Sequence, residues 1–386
     1  MDFDLSEDQR AYREAAETFA LKEMAPHAAE WDAECHFPKD VIAKAGELGF
    51  CGLYSPEAAG GLGLSRLDST LIIEALCKGC TSTTAFISIH NMATWMATSF
   101  GSDELVEEWG EQLTSGQALA SYCLTEAGAG SDASSLKTTA KKDGDDYIIN
   151  GGKLFSSGAG DTEALVTMVR TEDTGAKGIT CFLIPADTEG VSFGKKEEKM
   201  GWNSQPTRAI TFEDARVPAK YRIGEEGEGF KFAMMGLDGG RLNIAACSVG
   251  TAQSALEITR DYLRERHQFG QALAEFQGIQ FKLADMATDL VAARLMIRNA
   301  ASKLDKKDPE ATNYCAMAKR FATDAGFNIC NDALQLHGGY GYIKEYPLER
   351  MVRDVRVHQI LEGTNEIMRL IIARRILRDG VLEQMQ

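Results

Sequence analysis

The sequence of 386 residues has no uninterrupted apolar run of about 20 residues, the length that a membrane-spanning helix needs. The chain begins MDFDLSEDQRAYREAA, which lacks the basic start and apolar stretch of a secretion signal and the Arg-rich character of a transit peptide. Positive charge is also scarce, because 41 Lys and Arg against 57 Asp and Glu give a net charge of −16. Nucleic acid is therefore excluded as the main partner, since phosphate backbones require clustered Lys and Arg.

Metal-ligand spacing is equally scarce. The six histidines are dispersed, and the nine cysteines are an odd number scattered over a long chain. Cys77 and Cys80 form a lone C-x-x-C in an apolar helical pattern, without a second ligand pair nearby. We therefore predict reduced, mostly buried thiols and no metal site.

Three stretches of different periodicity follow one another, and together they predict an α+β fold class. Residues 1–120 have helical spacing and are expected to form an N-terminal helical domain. Residues 121–232 contain short β-branched runs between turn signals, which predicts a middle antiparallel β-barrel or sandwich domain. Residues 233–386 return to helical spacing and are expected to form a C-terminal four-helix bundle.

Local signals support these assignments. Ser6 and Gln9 have the spacing of a capping box at the start of the first helix. Asn150-Gly151 is a hairpin signal, and no segment between the β-type runs is long enough for a crossover helix. Over residues 279–304, apolar residues alternate in steps of four and three, which favours a bundle over a long coiled coil.

A glycine-rich segment, TEAGAGSDA at residues 125–133, is the first candidate binding element. Gly128, Gly130 and Ala133 satisfy the G-x-G-x-x-A spacing of dinucleotide-binding loops. That motif needs a helix at its last glycine, whereas this segment continues toward a hairpin, which argues against a Rossmann site. The segment is either a loop whose backbone N–H groups approach a ligand or a plain domain junction.

A second glycine-rich segment, HGGYGY at residues 337–342, is similar to the oxyanion element of some esterases. No G-x-S-x-G nucleophile motif accompanies it, so hydrolase chemistry is disfavoured. Gln335, Gly338 and Gly339 instead have the pattern of a helix end whose backbone N–H groups could serve a ligand.

Glu362 is the candidate catalytic group. It follows the apolar residues Ile360 and Leu361, and Thr364 or Asn365 can cap the helix expected after it. A carboxyl group beside apolar neighbours is desolvated, which raises its pKa from about 4.3 and suits it to general-base catalysis. The alternative is an ordinary solvated carboxylate at a helix entry, and these residues alone do not decide between the two.

Five segments in this order resemble the acyl-CoA dehydrogenase family across essentially the whole chain. They are YCLTEAGAGSD, NGGKLFSSGAG, RHQFGQ, LHGGYGY and LEGTNEIMRLIIAR. The segments KMGWNSQPTRAITFEDARVP, GLDGGRLNIAACSVG, DMATDLVAARLM and RVHQILEGTNE are more similar to the branch that oxidises short branched-chain acyl-CoA thioesters than to the medium-chain enzymes. The resemblance implies that family's fold of helical, β and helical domains.

The resemblance also implies FAD as the cofactor and gives positions for its binding. The isoalloxazine half would be lined by Tyr122, Leu124, Thr125, Gly130, Ser131, Phe155, Ser156 and Ser157 from the β domain, and by Thr364, Asn365 and Glu366 from the C-terminal domain. Arg266, Phe276, Gln277 and Gln335 match positions that hold the adenosine diphosphate half from a neighbouring subunit, and Phe269, Gly338 and Gly339 match further cofactor-binding positions. A site shared in this way implies an oligomer, expected to be a homotetramer.

The same resemblance implies which residues meet the substrate. The acyl-CoA contacts would be Ser131, Asp238, Gly239, Gly240, Arg241, Gly363 and Arg374. Glu362 would remove a proton beside the thioester carbonyl while the adjacent carbon passes a hydride to the flavin. Some family members carry this base at the position of Gly240, where glycine cannot take a proton, so Glu362 is the expected base and Asp238 a fallback.

The implied activity is conversion of isobutyryl-CoA to methacrylyl-CoA, as in valine breakdown, with electrons passed to electron-transfer flavoprotein. Butyryl-CoA and 2-methylbutyryl-CoA are alternative substrates, because one methyl group is worth only about 1–3 kcal/mol in an apolar pocket. An oxygen-using acyl-CoA oxidase and a non-catalytic helical scaffold are the alternative classes of protein. The expected compartment is the cytoplasm for a bacterial chain and the mitochondrial matrix for a processed eukaryotic chain.

Overall fold

The computed structural model describes residues 4–379, with helices at both ends of that stretch and a sheet between them. The N-terminal helices are α1 (Glu7–Phe19), α2 (Ala28–Glu34), α3 (Lys39–Glu47), α4 (Arg66–Leu76), α5 (Thr81–Phe100) and α6 (Asp103–Thr114). The central strands are β1 (Ala120–Cys123), β2 (Thr139–Asp143), β3 (Asp146–Ser157), β4 (Ala164–Arg170), β5 (Ile179–Pro185), β6 (Val191–Phe193), β7 (Thr207–Pro218) and β8 (Arg222–Ile223). This helix–sheet–helix order confirms the predicted α+β fold class.

The C-terminal part is a set of long helices with a small hairpin. Its elements are α7 (Gly229–Glu265), β9 (His267–Gln268), β10 (Gln271–Ala272), α8 (Gln277–Asp305), α9 (Ala311–His337), α10 (Gly339–Tyr342), α11 (Leu348–Arg356) and α12 (Asn365–Asp379). The seam predicted for residues 279–304 lies on α8, where Met286, Leu290 and Ile297 are buried against α7 and α9. α12 packs on α9 and completes the four-helix arrangement.

The N-terminal helices bury faces whose spacing is visible in the sequence. The capping box is present: Ser6 Oγ accepts from the N–H of Gln9 at 3.1 Å, and the Gln9 side chain accepts from the N–H of Ser6 at 3.1 Å. α5 is buried along most of its length. Its Asn91 accepts from the N–H of Leu53 at 2.8 Å and donates to the carbonyl of Phe50 at 2.7 Å, which fixes the turn after α3.

The middle sheet differs from the prediction in the direction of its strands. Eight strands form one sheet in the order β6-β7-β3-β2-β4-β5-β8, with β1 beside β4. The hairpins β2–β3 and β4–β5 are antiparallel as expected, but β1 and β2 both pair parallel with β4. The prediction of a hairpin turn at Asn150-Gly151 is wrong, because these residues lie inside β3, where its pairing with β7 shifts register. Turn signals reveal pairing between consecutive strands only, so the sequence pattern could not indicate that β1 and β2 pair with β4.

Most thiols are buried in apolar surroundings. All nine cysteines carry free thiols, and Cys35 alone among them is exposed. Within residues 4–379, no group of three or more His, Cys, Asp or Glu side chains is arranged to hold a metal ion. The same residues include no helix that is both long and apolar enough to cross a membrane.

A charged network joins the three parts of the chain. Arg353 of α11 donates to Asp32 of α2 at 2.6 and 3.0 Å and to Glu349 at 2.6 and 2.9 Å. The neighbouring Asp354 accepts from the backbone N–H of Trp202, in the segment before β7, at 2.6 Å. These contacts fix α11, the helix that leads into the loop containing Glu362.

Candidate active site

Glu362 lies in the loop between α11 and α12, where the backbone is unusual. One turn of 3₁₀ helix (Val357–Gln359) follows α11, and then Glu362 has a φ of +53° and Gly363 a φ of +88°. Left-handed backbone is costly for a residue with a side chain, so the surroundings must hold it in place. Thr364 Oγ1 accepts from the N–H of Ile367 at 3.3 Å and caps α12, as one of the two predicted caps.

The carboxyl group of Glu362 lies against Gly240 of α7. A Cβ atom at Gly240 would overlap Oε2 of Glu362, so only glycine leaves room for this group. Oε2 is buried and has no hydrogen-bond partner in the described structure. The two positions that the resemblance gives for the base are therefore neighbours in space, and this chain has a carboxyl group at one of them only.

Burial controls the protonation of Glu362. It raises the pKa of the carboxyl group to about 7, while the positive charges of Lys319 and Arg241 act in the opposite direction. The group is therefore partly ionised near neutral pH, where it can accept a proton. A general base is most effective when its pKa lies near the working pH.

Lys319 of α9 is a buried cation beneath the Glu362 loop, and sequence reasoning did not identify it. Its side chain is fully buried, and the ammonium group donates to the carbonyl of Gly363 at 2.8 Å and to Oδ1 of Asn365 at 3.0 Å. Asn365 is itself buried, whereas the neighbouring Glu366 is exposed. No motif marks Lys319, because its partners come from the chain more than forty residues later.

Two residues predicted to contact the substrate, Asp238 and Arg241, form an ion pair within one turn of α7. Arg241 Nη1 donates to Asp238 Oδ1 at 2.6 Å, and Thr312 donates to Asp238 Oδ2 at 2.6 Å. With both oxygens engaged, Asp238 is less suited than Glu362 to accept a substrate proton. Arg374, also predicted to contact the substrate, is exposed on α12.

The residues predicted to line the isoalloxazine come from two adjacent segments of the sheet domain. The N–H of Leu154 donates to the carbonyl of Thr125 at 2.8 Å, so segments 122–131 and 155–157 lie side by side. Phe155 has a φ of +55° and is 66% exposed. A large apolar ring held in this strained, exposed position is suited to contact a planar ligand.

Buried polar atoms test whether these segments fit a cofactor. Tyr122 Oη and Ser156 Oγ are both buried without a hydrogen-bond partner in the described structure. Tyr122 is also an electrostatic neighbour of Glu362, so the sheet segments and the carboxyl group border one region. Buried polar groups are almost always satisfied in proteins. These residues therefore fit a bound ring system with polar edges.

The glycine-rich segment is a loop and does not open a helix. Glu126 closes it by accepting from the N–H groups of residues 137–138 at 2.6 and 3.0 Å, and the buried Lys153 donates to Glu126 at 2.7 Å. A Cβ atom at Gly128 or Gly130 would meet nothing within 4 Å. A cavity of about 400 Å³ adjoins this loop. This path of the chain agrees with the sequence prediction, which argued against a Rossmann dinucleotide-binding site in this segment.

The positions matched to the adenosine diphosphate half form a second, exposed group. Phe269 is 94% exposed and packs edge-on against Phe276, with ring centroids 6.3 Å apart. The guanidinium group of Arg266 lies 5.7 Å from the ring centroid of Tyr340, just after α9. The remaining members are exposed as well: Gln277, Gln335, Gly338 and Gly339. These residues are therefore largely accessible to solvent, whereas the carboxyl group of Glu362 and its neighbours are buried.

Four residues in the region where the Arg66 side chain meets Gly239 of α7 were not predicted from the sequence. The Arg66 guanidinium lies 3.5 Å from the ring centroid of Tyr54 and 4.9 Å from that of Trp95. Asn243, one turn after Gly240 on α7, donates to Tyr54 Oη at 3.2 Å. Only Asn243 had a sequence signal, its helical spacing from Gly240, because the other three belong to separate N-terminal segments.

Comparison with known proteins agrees with this arrangement. Three family descriptions match the chain: "Acyl-CoA dehydrogenase, N-terminal domain" at residues 6–117, "middle domain" at residues 121–215 and "C-terminal domain" at residues 227–377. The mitochondrial isobutyryl-CoA dehydrogenase of Dictyostelium discoideum is 56% identical over 97% of this chain and 90% of that protein. The corresponding Bos taurus protein is 54% identical over 97% and 90%.

A solved structure leads to the same family. Butyryl-CoA dehydrogenase from Megasphaera elsdenii superimposes with a TM-score of 0.94 at 38% identity, covering 98% of this chain and 100% of that chain. The chain therefore belongs to the acyl-CoA dehydrogenase family, which confirms the resemblance of its motifs. Its members are flavin-dependent oxidoreductases, and this chain is an enzyme of that class.

Proposed function

We propose that this enzyme uses FAD to convert isobutyryl-CoA to methacrylyl-CoA, as in valine breakdown. The α-carbon loses a proton, the β-carbon loses a hydride, and a double bond forms between the two carbons. When bound, FAD supplies the acceptor for the hydride. The residues of the chain must take the proton, stabilise charge on the thioester oxygen and exclude water.

The buried carboxyl group of Glu362 carries this proposal. Its Oε2 has no hydrogen-bond partner among residues 4–379, and burial raises the pKa of the group to about 7, so it can take the α-proton near neutral pH. Burial also raises the pKa of the Asp238 carboxyl group, but Arg241 and Thr312 hold both of its oxygens, so neither is free to take the proton. We therefore assign Glu362 as the catalytic base.

The α-proton becomes acidic only if the thioester oxygen meets a hydrogen-bond donor. No described backbone hydrogen bond uses the N–H of Glu362. We assign it to the thioester carbonyl. One such donor is typically worth about 3–4 kcal/mol in the transition state.

The chain's own residues support FAD as the flavin. Tyr122 and Ser156 offer buried hydroxyl groups, and Phe155 an exposed ring, on the segments predicted to line the isoalloxazine. Thr364 and Asn365 stand directly after the catalytic loop. Together with the other positions that the family motifs give for the isoalloxazine, these residues would hold the ring system beside Glu362.

We propose isobutyryl-CoA as the substrate because the relatives at 54–56% identity are isobutyryl-CoA dehydrogenases. The short-chain preference also suits the crowded side of the site, where Arg66, Tyr54 and Trp95 pack on one another beside α7. Asp238, Arg241 and Arg374, at the start of α7 and on α12, are the residues we propose for the CoA part.

The active form that we propose is a homotetramer. Phe281, Val291 and Leu295 of α8 are 64%, 51% and 40% exposed, a set of apolar side chains that a subunit interface would cover. The exposed group around Arg266 and Phe269 could then serve a neighbouring subunit's FAD. Electron-transfer flavoprotein is the proposed acceptor, in the bacterial cytoplasm or, for a eukaryotic chain, in the mitochondrial matrix.

A series of anaerobic flavin-reduction rates tests the proposed activity. Purified holoenzyme is mixed with isobutyryl-CoA, butyryl-CoA and 2-methylbutyryl-CoA, and bleaching of the flavin is followed. We expect isobutyryl-CoA to react about ten times faster than the others. A higher rate with another of these thioesters would show that isobutyryl-CoA is not the preferred substrate. Rapid peroxide formation in air without a protein acceptor would indicate an oxidase, and a chain that binds no FAD would be a scaffold.

A further inference from the structure

Lys319 is a fully buried lysine whose charge the proposed chemistry has not yet used. Its ammonium group bonds the carbonyl of Gly363 and the side chain of Asn365, the residues that follow Glu362 in the catalytic loop. Asn365 is fixed in turn by donating to Thr323 at 2.9 Å and to Asp324 at 2.7 Å. Lys319 therefore reaches the loop from a rigid helix that contributes no other residue to the proposed catalytic step.

These contacts hold a turn that would otherwise relax. Glu362 and Gly363 are both left-handed, at φ +53° and +88°, and such a conformation persists in a residue with a side chain only where its neighbours enforce it. The bond from Lys319 to the Gly363 carbonyl acts directly on this turn. Without it, the carboxyl group would lose its fixed place against Gly240.

The charge of Lys319 requires a separate explanation. A neutral amide such as Gln could donate to both of these oxygens, and burying an ammonium group costs more than burying an amide. A buried charge persists where opposite charge offsets it. Glu362 is the acidic group with the largest effect on Lys319, followed by Asp324 and Glu366. Burial lowers the pKa of Lys319 to about 8, so the charged form still predominates at neutral pH.

The other charged and titratable groups that face Glu362 and Lys319 do not supply this positive charge in place of Lys319. Among residues 4–379, the other cation that acts on Glu362 is Arg241, which is already paired with Asp238. The remaining titratable neighbours of the pair are neutral at pH 7, with the pKa of each hydroxyl or thiol raised and that of the imidazole lowered by burial: Tyr54, Tyr122, Cys247 and His358.

We propose that Lys319 is a positioning residue for the reaction: its ammonium group fixes the Glu362–Gly363 turn and supplies the positive charge that favours the ionised form of Glu362. The inference rests on the proposed role of Glu362 as the base. It assigns to α9 the task of keeping a desolvated carboxyl group able to accept a proton at neutral pH.

Two variants separate the charge from the hydrogen bonds. K319M removes both, and K319Q removes the charge but retains an amide donor. In holoenzyme of either variant, we expect the acid limb of the flavin-reduction rate with isobutyryl-CoA to move upward by about one pH unit, because an opposite charge has been lost. K319Q should recover the wild-type rate at high pH, whereas K319M should stay below it.

A spectroscopic measurement gives a readout independent of turnover. The infrared band of the protonated Glu362 carboxyl group, assigned by its loss in E362Q, should titrate at higher pH in K319Q than in the wild type. K199M is the matched control, because it removes a partly buried lysine bonded to Gln205 and Thr207 and should leave the titration unchanged.

The outcomes distinguish this inference from the function on which it rests. If E362Q reduces flavin at nearly the wild-type rate, the base assignment is wrong. If E362Q is inactive but K319Q retains the wild-type acid limb and carboxyl titration, Glu362 remains the base and the inference about Lys319 is overturned. A uniform loss of rate at every pH would give Lys319 a purely structural role and would also overturn the inference.

Discussion

The catalytic centre depends on a shape match between single residues. The space beside Gly240, where any other residue would have a Cβ atom, contains the carboxyl group of Glu362. The sequence identified both residues, because apolar neighbours before Glu362 indicated desolvation and the family motifs indicated the glycine. It could not identify the buried Lys319 or the half-buried Arg66, since such a cation is recognised only from the partners around it.

Substituting Gly240 with Ala should therefore inactivate the enzyme without unfolding it. The new methyl group would displace the carboxyl group from its place, and loss of a positioned general base typically costs about 10²–10⁴-fold in rate. Anaerobic flavin reduction of the FAD-loaded variant is the measurement. G194A is the control, because a Cβ atom there meets only Ala209 at an ordinary 3.4 Å. Reduction of G240A within twofold of the wild type would refute the steric argument.

At the scale of elements, the sequence predicted what local spacing determines. The capping box of α1, the apolar seam of α8 and the hairpins β2–β3 and β4–β5 all depend on residues close together in the chain. The parallel pairing of β1 and β2 with β4 was missed, because it joins strands that are not consecutive in the chain. Long-range contacts are fixed by packing, for which local periodicity carries no signal.

The ion pair between α11 and α2 should contribute measurably to stability. R353M would leave Asp32, whose side chain is only 11% exposed, without its main partner. Breaking a fully buried pair costs about 3–5 kcal/mol, and we expect about 2–3 kcal/mol here because Arg353 is partly exposed. The midpoint of denaturant unfolding should fall accordingly. R216M, which breaks an exposed pair with Asp143, should change the midpoint little, and equal midpoints for both variants would contradict the account.

At the scale of the whole molecule, the chain carries a net charge of −16, although its proposed substrate is also an anion. Binding must therefore rely on local donors such as Arg241 and Arg374. The family motifs were sufficient to predict the helical, β and helical parts in order. The prediction of a homotetramer rests on the family resemblance, because a single chain shows which apolar surfaces are exposed and not what covers them.

The tetramer can be tested through the exposed face of α8. The double substitution F281E/L295E places charge on this face, and we expect the particle mass by light scattering to fall below that of a tetramer, with loss of FAD from the shared sites. F281L/L295M keeps the face apolar and should remain assembled and loaded. An unchanged mass for the charged variant would place the subunit interface elsewhere.

The central claim is that the carboxyl group of Glu362 takes the α-proton, and anaerobic stopped-flow reduction of E362Q by isobutyryl-CoA tests it most directly. The wild-type rate should rise with pH around a midpoint of about 7, as the carboxyl group ionises, and level off at higher pH. The amide cannot accept a proton, so E362Q with its full complement of FAD should be slower by about 10³-fold or more at every pH. Reduction at close to the wild-type rate, with the same pH dependence, would show that another group removes the proton.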